Sequence, residues 1–151
     1  MPASSYRLED ILPHRPPMVL LDGIVSFDET GRELVAAATI REGWNGNWVA
    51  VELMAQASAA LAGIFDRIAS PGRPARPGFL LGTRRLSLDV PAFEVGRRYL
   101  VRSRNEFSDG ESASFDCAVL DGERPVAHAI LSAYCPADAA AFLAARRTEG
   151  G

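Results

Sequence analysis

The stretch WVAVELMAQASAALAGIFDRIA, from Trp48 to Ala69, decides how the rest of the chain is read. It reads as one helix from Trp48 to about Ala69. Ala55, Ala57, Ser58, Ala59, Ala60, Ala62 and Gly63 make it rich in small residues and apolar nearly all round, which predicts burial rather than a surface position. Small side chains also let a sheet approach the helix backbone closely. One carboxylate, Glu52, interrupts the apolar run. An amide, Gln56, follows one helical turn later on the same face.

Ahead of this helix lies GWNGN, a glycine and asparagine loop in which Asn47 is the expected N-cap. Before the loop, Met18 to Phe27 reads as a buried strand with Asp22-Gly23 in its middle, and Glu33 to Ile40 reads as a second strand. Tyr6 to Leu12 suits a short helix, stopped by Pro13 and by Pro16-Pro17. After the helix, Pro71 to Pro77 forms a stiff linker and Phe79 to Val90 a strand. Tyr99 to Phe107 and Ser112 to Leu120 then end at Asp109-Gly110 and Asp121-Gly122, and Val126 to Cys135 completes the set. Two Asp-Gly turns between alternating segments predict an antiparallel meander. Pro136 to Arg147 reads as a short amphipathic helix. The pattern predicts an α+β fold, with an antiparallel sheet wrapped around one long central helix.

The 151 residues make one domain, spanning 1–151, with a core at about 12–135 and the short C-terminal helix after it. A hydrophobic content of 48% against 23% charged residues suits a soluble globular chain rather than a disordered one. A net charge of −3 gives no reason to expect nucleic acid as a partner. No apolar run reaches the roughly 18 residues of a membrane span without a charge, and MPASSYRLED lacks the basic start and apolar block of a secretory signal. No membrane association is expected. Cys117 and Cys135 have no metal-ligand spacing and are expected as buried free thiols in a reducing cytoplasm. No metal cluster, P-loop, dinucleotide fingerprint or nucleophile elbow is present.

Four segments carry a resemblance. LPHRPPMVLLDGIV (Leu12 to Val25) is similar to the N-terminal signature of the β-hydroxyacyl-acyl-carrier-protein dehydratases, and VELMAQA (Val51 to Ala57) resembles the E-A-M-A-Q of that family's central helix. GFLLGTRRLSLDVPAFEVGRRYLV and LDGERPVAHAILSA look like the strands that follow. The resemblance runs from about Leu12 to Cys135 and implies a hot-dog fold with two subunits joined edge to edge. The substrate it implies is a β-hydroxyacyl thioester on acyl carrier protein or coenzyme A. The phosphopantetheine belongs to that substrate and no separate cofactor is implied. One feature departs: the family's histidine stands in a G-H-F-P loop ahead of the helix, where this chain has GWNGN. The pattern is closer to that of hot-dog proteins associated with aryl-polyene and related lipid-like pathways.

Dehydration of such a thioester needs a base for the α-proton, an acid for the departing hydroxide and a donor to the enolate-like oxygen. The resemblance assigns the acid to Glu52. A carboxyl shielded from water favours its protonated form, which would suit that task. A carboxylate satisfied by backbone amides or an arginine is the structural alternative. Gln56 would orient that carboxyl or bridge to loop backbone. Asn47 and the helix start offer N–H groups for the thioester oxygen. Trp48 either walls an acyl tunnel or packs in the core. His14, in the N-terminal signature, is the candidate for a recruited base, although the resemblance does not give it that role. His128 reads as a packed or edge residue. Arg84, Arg85, Arg97, Arg98, Arg102 and Arg104 are either solvated or a surface for an acidic carrier protein.

Three functions share this equipment: a dehydratase of fatty-acid or polyene-type biosynthesis, a non-catalytic acyl-binding or partner subunit of another hot-dog protein, and an acyl thioesterase. A homodimer or a heterodimer is expected, in the cytoplasm.

Overall fold

A computed structural model describes residues 6–12, 18–72, 79–109 and 111–134. A single helical turn, α1 (Leu8–Ile11), precedes strands β1 (Gly23–Asp28) and β2 (Glu33–Thr39). The long helix α2 (Trp48–Ala69) follows, and then β3 (Phe79–Leu88), β4 (Arg98–Ser108), β5 (Ser112–Asp121) and β6 (Arg124–Tyr134). The strands form one sheet in the order β1-β2-β4-β5-β6-β3, and every neighbouring pair is antiparallel. The chain thus adopts the expected α+β arrangement, and α2 covers the sheet's inner face.

Alternation along the strands builds that face. β4 turns Tyr99, Val101, Ser103 and Asn105 inward, and β5 turns Phe115, Cys117 and Val119 inward beside them. β2 adds Leu34, Ala36 and Ala38. From α2 come Ala50, Leu53, Ala57, Ala60, Leu61 and Ile64, all fully buried. Each buried leucine contributes roughly 1.5–3 kcal/mol relative to exposure. The buried alanines on both sides keep the helix backbone close to the sheet. Within this apolar layer Ser58 Oγ donates to Met54 O at 2.8 Å and lies 2.8 Å from Ser103 Oγ and 3.2 Å from Cys117 Sγ. By length and composition α2 could cross a membrane, with a mean hydropathy of 1.5 in its apolar window. In the fold, 61% of that window is buried, which accounts for its apolarity.

The turns follow the sequence chemistry. The Asp109 carboxylate accepts the N–H groups of Glu111 and Ser112 at 3.2 and 2.7 Å, which hold it below the usual carboxylate range. Gly122, first of the two residues joining β5 to β6, has φ +64°, as a mirror-image hairpin turn requires.

Two local expectations are corrected. The apolar run from Met18 becomes strand only at Gly23, although Leu20 and Leu21 are buried. From Met18 to Leu20 side chains satisfy its backbone instead of a ladder: Arg41 donates to Val19 O at 2.7 Å, and Gln56 serves Met18 O and Leu20 N–H. Asp22 N–H makes the first bond to β2, at 2.7 Å to Ala37 O. Asn47 stands at the N-cap position without a side-chain cap bond. Its backbone is already helical (φ −59°, ψ −29°), whereas a capping side chain needs an extended backbone. The main chain takes the first donors, with Val49 N–H bonded to Gly46 O and Ala50 N–H to Asn47 O. The helix expected at Pro136 to Arg147 and the thiol of Cys135 lie outside the described residues. Cys117 is buried.

Candidate active site

The loop before α2 is fixed from both sides. Phe93 N–H bonds to Asn45 O at 3.1 Å, Ile40 N–H to Arg97 O and Gly96 N–H to Ile40 O, so the chain between β3 and β4 braces the loop. The Trp44 and Trp48 rings meet with centroids 5.2 Å apart, and the Arg41 guanidinium lies 5.6 Å from the Trp44 ring. Gly46 makes room for Trp48: a β-carbon there would sit 2.9 Å from the indole. Trp48 is 52% exposed, so it is not a packed core aromatic. Met18, also exposed, belongs to the same end of the fold.

Glu52 lies one turn into α2 and is half-buried rather than enclosed. Gln56, on the next turn, is fully buried and makes three hydrogen bonds. Its Oε1 accepts Leu20 N–H at 2.9 Å, while its Nε2 donates to Met18 O at 2.7 Å and to Glu52 Oε1 at 2.9 Å. It therefore orients the carboxyl and bridges to loop backbone at once. Sequence reasoning offered these as alternatives, and it did not find Met18 and Leu20 as the residues bridged. Their positions within an apolar run gave no signal for it.

The other candidates are placed apart. His128 stands between buried Ala127 and Ala129, so alternation puts it on the face of the sheet away from α2. There its Nε2 lies 3.0 Å from Asp116 Oδ1. His14 lies outside the described residues. Arg97 pairs with Glu94 and Asp121, and Arg104 with Glu106. Arg84 and Arg85 are exposed on the edge strand β3, with Arg85 in the left-handed region at φ 54°. A small cavity lined by Leu20, Ile40, Arg41, Trp44 and Leu53 adjoins the start of α2. Another, lined by Arg32, Phe65, Asp66 and Asn105, lies about 20 Å along the helix from Glu52. Among the described residues no group of three or more His, Cys, Asp or Glu side chains is arranged to hold a metal ion.

A six-stranded antiparallel sheet packed against one long helix is the hot-dog arrangement. Solved structures show the same fold. The dehydratase heterocomplex ApeI:P from Xenorhabdus doucetiae aligns with a TM-score of 0.80 at 23% identity, covering 91% of this chain and 96% of that one. A hypothetical thioesterase with coenzyme A from Streptococcus pneumoniae aligns at 0.54 and 14% identity, over 74% and 85%. The PaaI protein of the phenylacetic acid degradation operon of E. coli aligns at 0.53 and 14%, over 74% and 80%. No curated protein matches the sequence. The chain belongs to the ApeP-like family, described as ApeP dehydratase, whose model matches residues 6–144. It is a divergent hot-dog protein of the dehydratase type, akin to the aryl-polyene-pathway subunits.

Proposed function

We propose that this chain dehydrates β-hydroxyacyl thioesters carried on acyl carrier protein or coenzyme A in the cytoplasm, as one subunit of a hot-dog dimer. The observation that supports it is the Glu52 carboxyl held by Gln56 at the start of the central helix, in a chain of the ApeP-like dehydratase family.

In this reading a base removes the α-proton, and the electron pair of that C–H bond forms the new Cα–Cβ double bond. The Cβ–O bond breaks and Glu52 gives its proton to the departing hydroxide, which leaves as water. The protein has two histidines. His128 faces away from the helix, so His14 is assigned as the base. The positive end of the α2 dipole supports charge on the thioester oxygen, with the Asn47 carboxamide, which makes no cap bond, beside it. The Val49 and Ala50 N–H groups are already taken by Gly46 O and Asn47 O. Trp48 lines the approach of the acyl chain.

The dimer reading rests on β3. Among the described residues ladder bonds occupy only the side facing β6, and Leu80, Leu81 and Leu86 are 48%, 58% and 46% exposed along it. A long edge with exposed leucines calls for cover, and a second hot-dog subunit paired edge to edge provides it. Bulges interrupt β3 at Leu81 and at Arg85-Leu86.

A second reading is a non-catalytic partner subunit. The similar ApeI:P structure is a heterocomplex, and in that case the base comes from the other chain. One assay separates the two: intact mass of a carrier protein loaded with a β-hydroxyacyl chain, after incubation with the purified protein. Loss of one water that disappears in Glu52→Gln supports the dehydratase, and sensitivity to His14→Ala identifies the base. An unchanged carrier mass overturns the stand-alone dehydratase. Release of free acid would instead identify a thioesterase.

A further inference from the structure

Gln56 has no orientational freedom. Met18 O can only accept and Leu20 N–H can only donate, so the carboxamide oxygen must face Leu20 and the nitrogen must face Met18. One hydrogen on Nε2 goes to Met18 O, and the other points at Glu52 Oε1, 2.9 Å away. That contact therefore has one polarity: Gln56 donates and Glu52 Oε1 accepts. The carbonyl oxygen of a carboxyl group is a better acceptor than its hydroxyl oxygen. When Glu52 carries a proton, the proton belongs on Oε2.

We infer that Gln56 is a positioning residue that selects Oε2 as the proton-transferring oxygen of Glu52, tying that choice to the backbone of Met18 and Leu20. The inference deepens the dehydratase reading and rests on it for its catalytic meaning. Its geometry does not depend on that reading. The full burial of Gln56 protects all three bonds from competing water. A misplacement of about 1 Å in a reacting group can cost on the order of 10²-fold in rate.

Two variants divide the roles. Gln56→Met removes all three bonds, whereas Gln56→Glu in its ionised form keeps the acceptor for Leu20 N–H and loses both donors. Steady-state dehydration by each is compared with the unaltered protein, near-UV circular dichroism reports folding, and crystal structures locate the Glu52 carboxyl. Both variants are expected to lower kcat by about 10²-fold with KM within about threefold, since the lost interaction concerns proton transfer rather than binding. Variants that fold and keep kcat within about threefold would overturn the inference, as would a loss confined to KM. If the unaltered protein dehydrates nothing, the proposed function fails and the structures alone decide. Displacement of the Glu52 carboxyl by about 1 Å in either variant then sustains the positioning role. An unmoved carboxyl ends it.

Discussion

A β-carbon on Gly63 would collide with the Cγ2 methyl of Ile11 and sit 3.0 Å from the Ile11 carbonyl oxygen. The missing side chain is the notch in α2 where α1 docks. Gly63→Ala brings two opposing effects. Helix propensity favours alanine by about 1 kcal/mol, while overpacking against backbone costs about 1–3 kcal/mol. The contact includes a main-chain oxygen, so the cost prevails. A net loss of about 1 kcal/mol is expected in urea denaturation. A gain in stability would show that α1 does not dock there in solution.

Glu52→Gln is expected to separate activity from folding. Glu52 is half-buried, and a glutamine oxygen can still accept from Gln56 Nε2. The thermal midpoint should stay close to that of the unaltered protein, while dehydration falls by about 10²–10⁴-fold, the contribution of a general acid. Equal losses of both would assign Glu52 to structure.

Burial pushes the Cys117 thiol up, against the hydrogen bonds to Ser58 and Ser103, which lower it. The folded chain then keeps this proton to higher pH than the unfolded one, whose thiol titrates near about 8.5. The associated stability is complete below that value and is lost as pH rises through the folded value, by up to about 1.4 kcal/mol per pH unit. Cys117→Ala removes the group, so its stability difference from the unaltered protein isolates the effect. That difference should change steadily above about pH 8.5 in the direction of a weakening unaltered protein. A flat difference up to about pH 10 would mean that the thiol titrates as in the unfolded chain.

Leu80→Asp on β3 tests the proposed edge. A carboxylate facing a second subunit would have to be buried without a partner, so the assembled species should fall to the mass of one chain in light scattering. An unchanged assembly would place the contact elsewhere.

The fold was legible because its signals are local and repeated. The helix from Trp48 to Ala69 has the bounds expected from its run of small residues, and the Asp109 and Asp121 turns stand where their Asp-Gly pairs announced them. Met18 to Asp22 misled because an apolar run reports burial, not pairing. Leu20 and Leu21 are buried beneath a segment held by Arg41 and Gln56, distant side chains that no local pattern reveals. Glu52 and Gln56 were visible as a pair through their spacing. Their link to Met18 and Leu20 spans more than thirty positions and is a product of tertiary structure. Trp48 was ambiguous because composition cannot tell a core aromatic from one folded back over Gly46.

The hydroxyls and thiol beneath the middle of α2 bear on how a helix of alanines stays in place. A smooth apolar surface has many near-equivalent seats on a sheet, each a shift of about 5.4 Å along the axis. In any seat but one, Ser58 would lose Ser103 and Cys117 and keep Met54 O, while the two strand groups would keep the longer 3.6 Å contact from Cys117 Sγ to Ser103 Oγ. Each of the two lost hydrogen bonds is worth about 0.5–1.5 kcal/mol. Three small polar atoms thus act as an indexing pin, and the position of Glu52 along the sheet is set by a contact in the middle of the core.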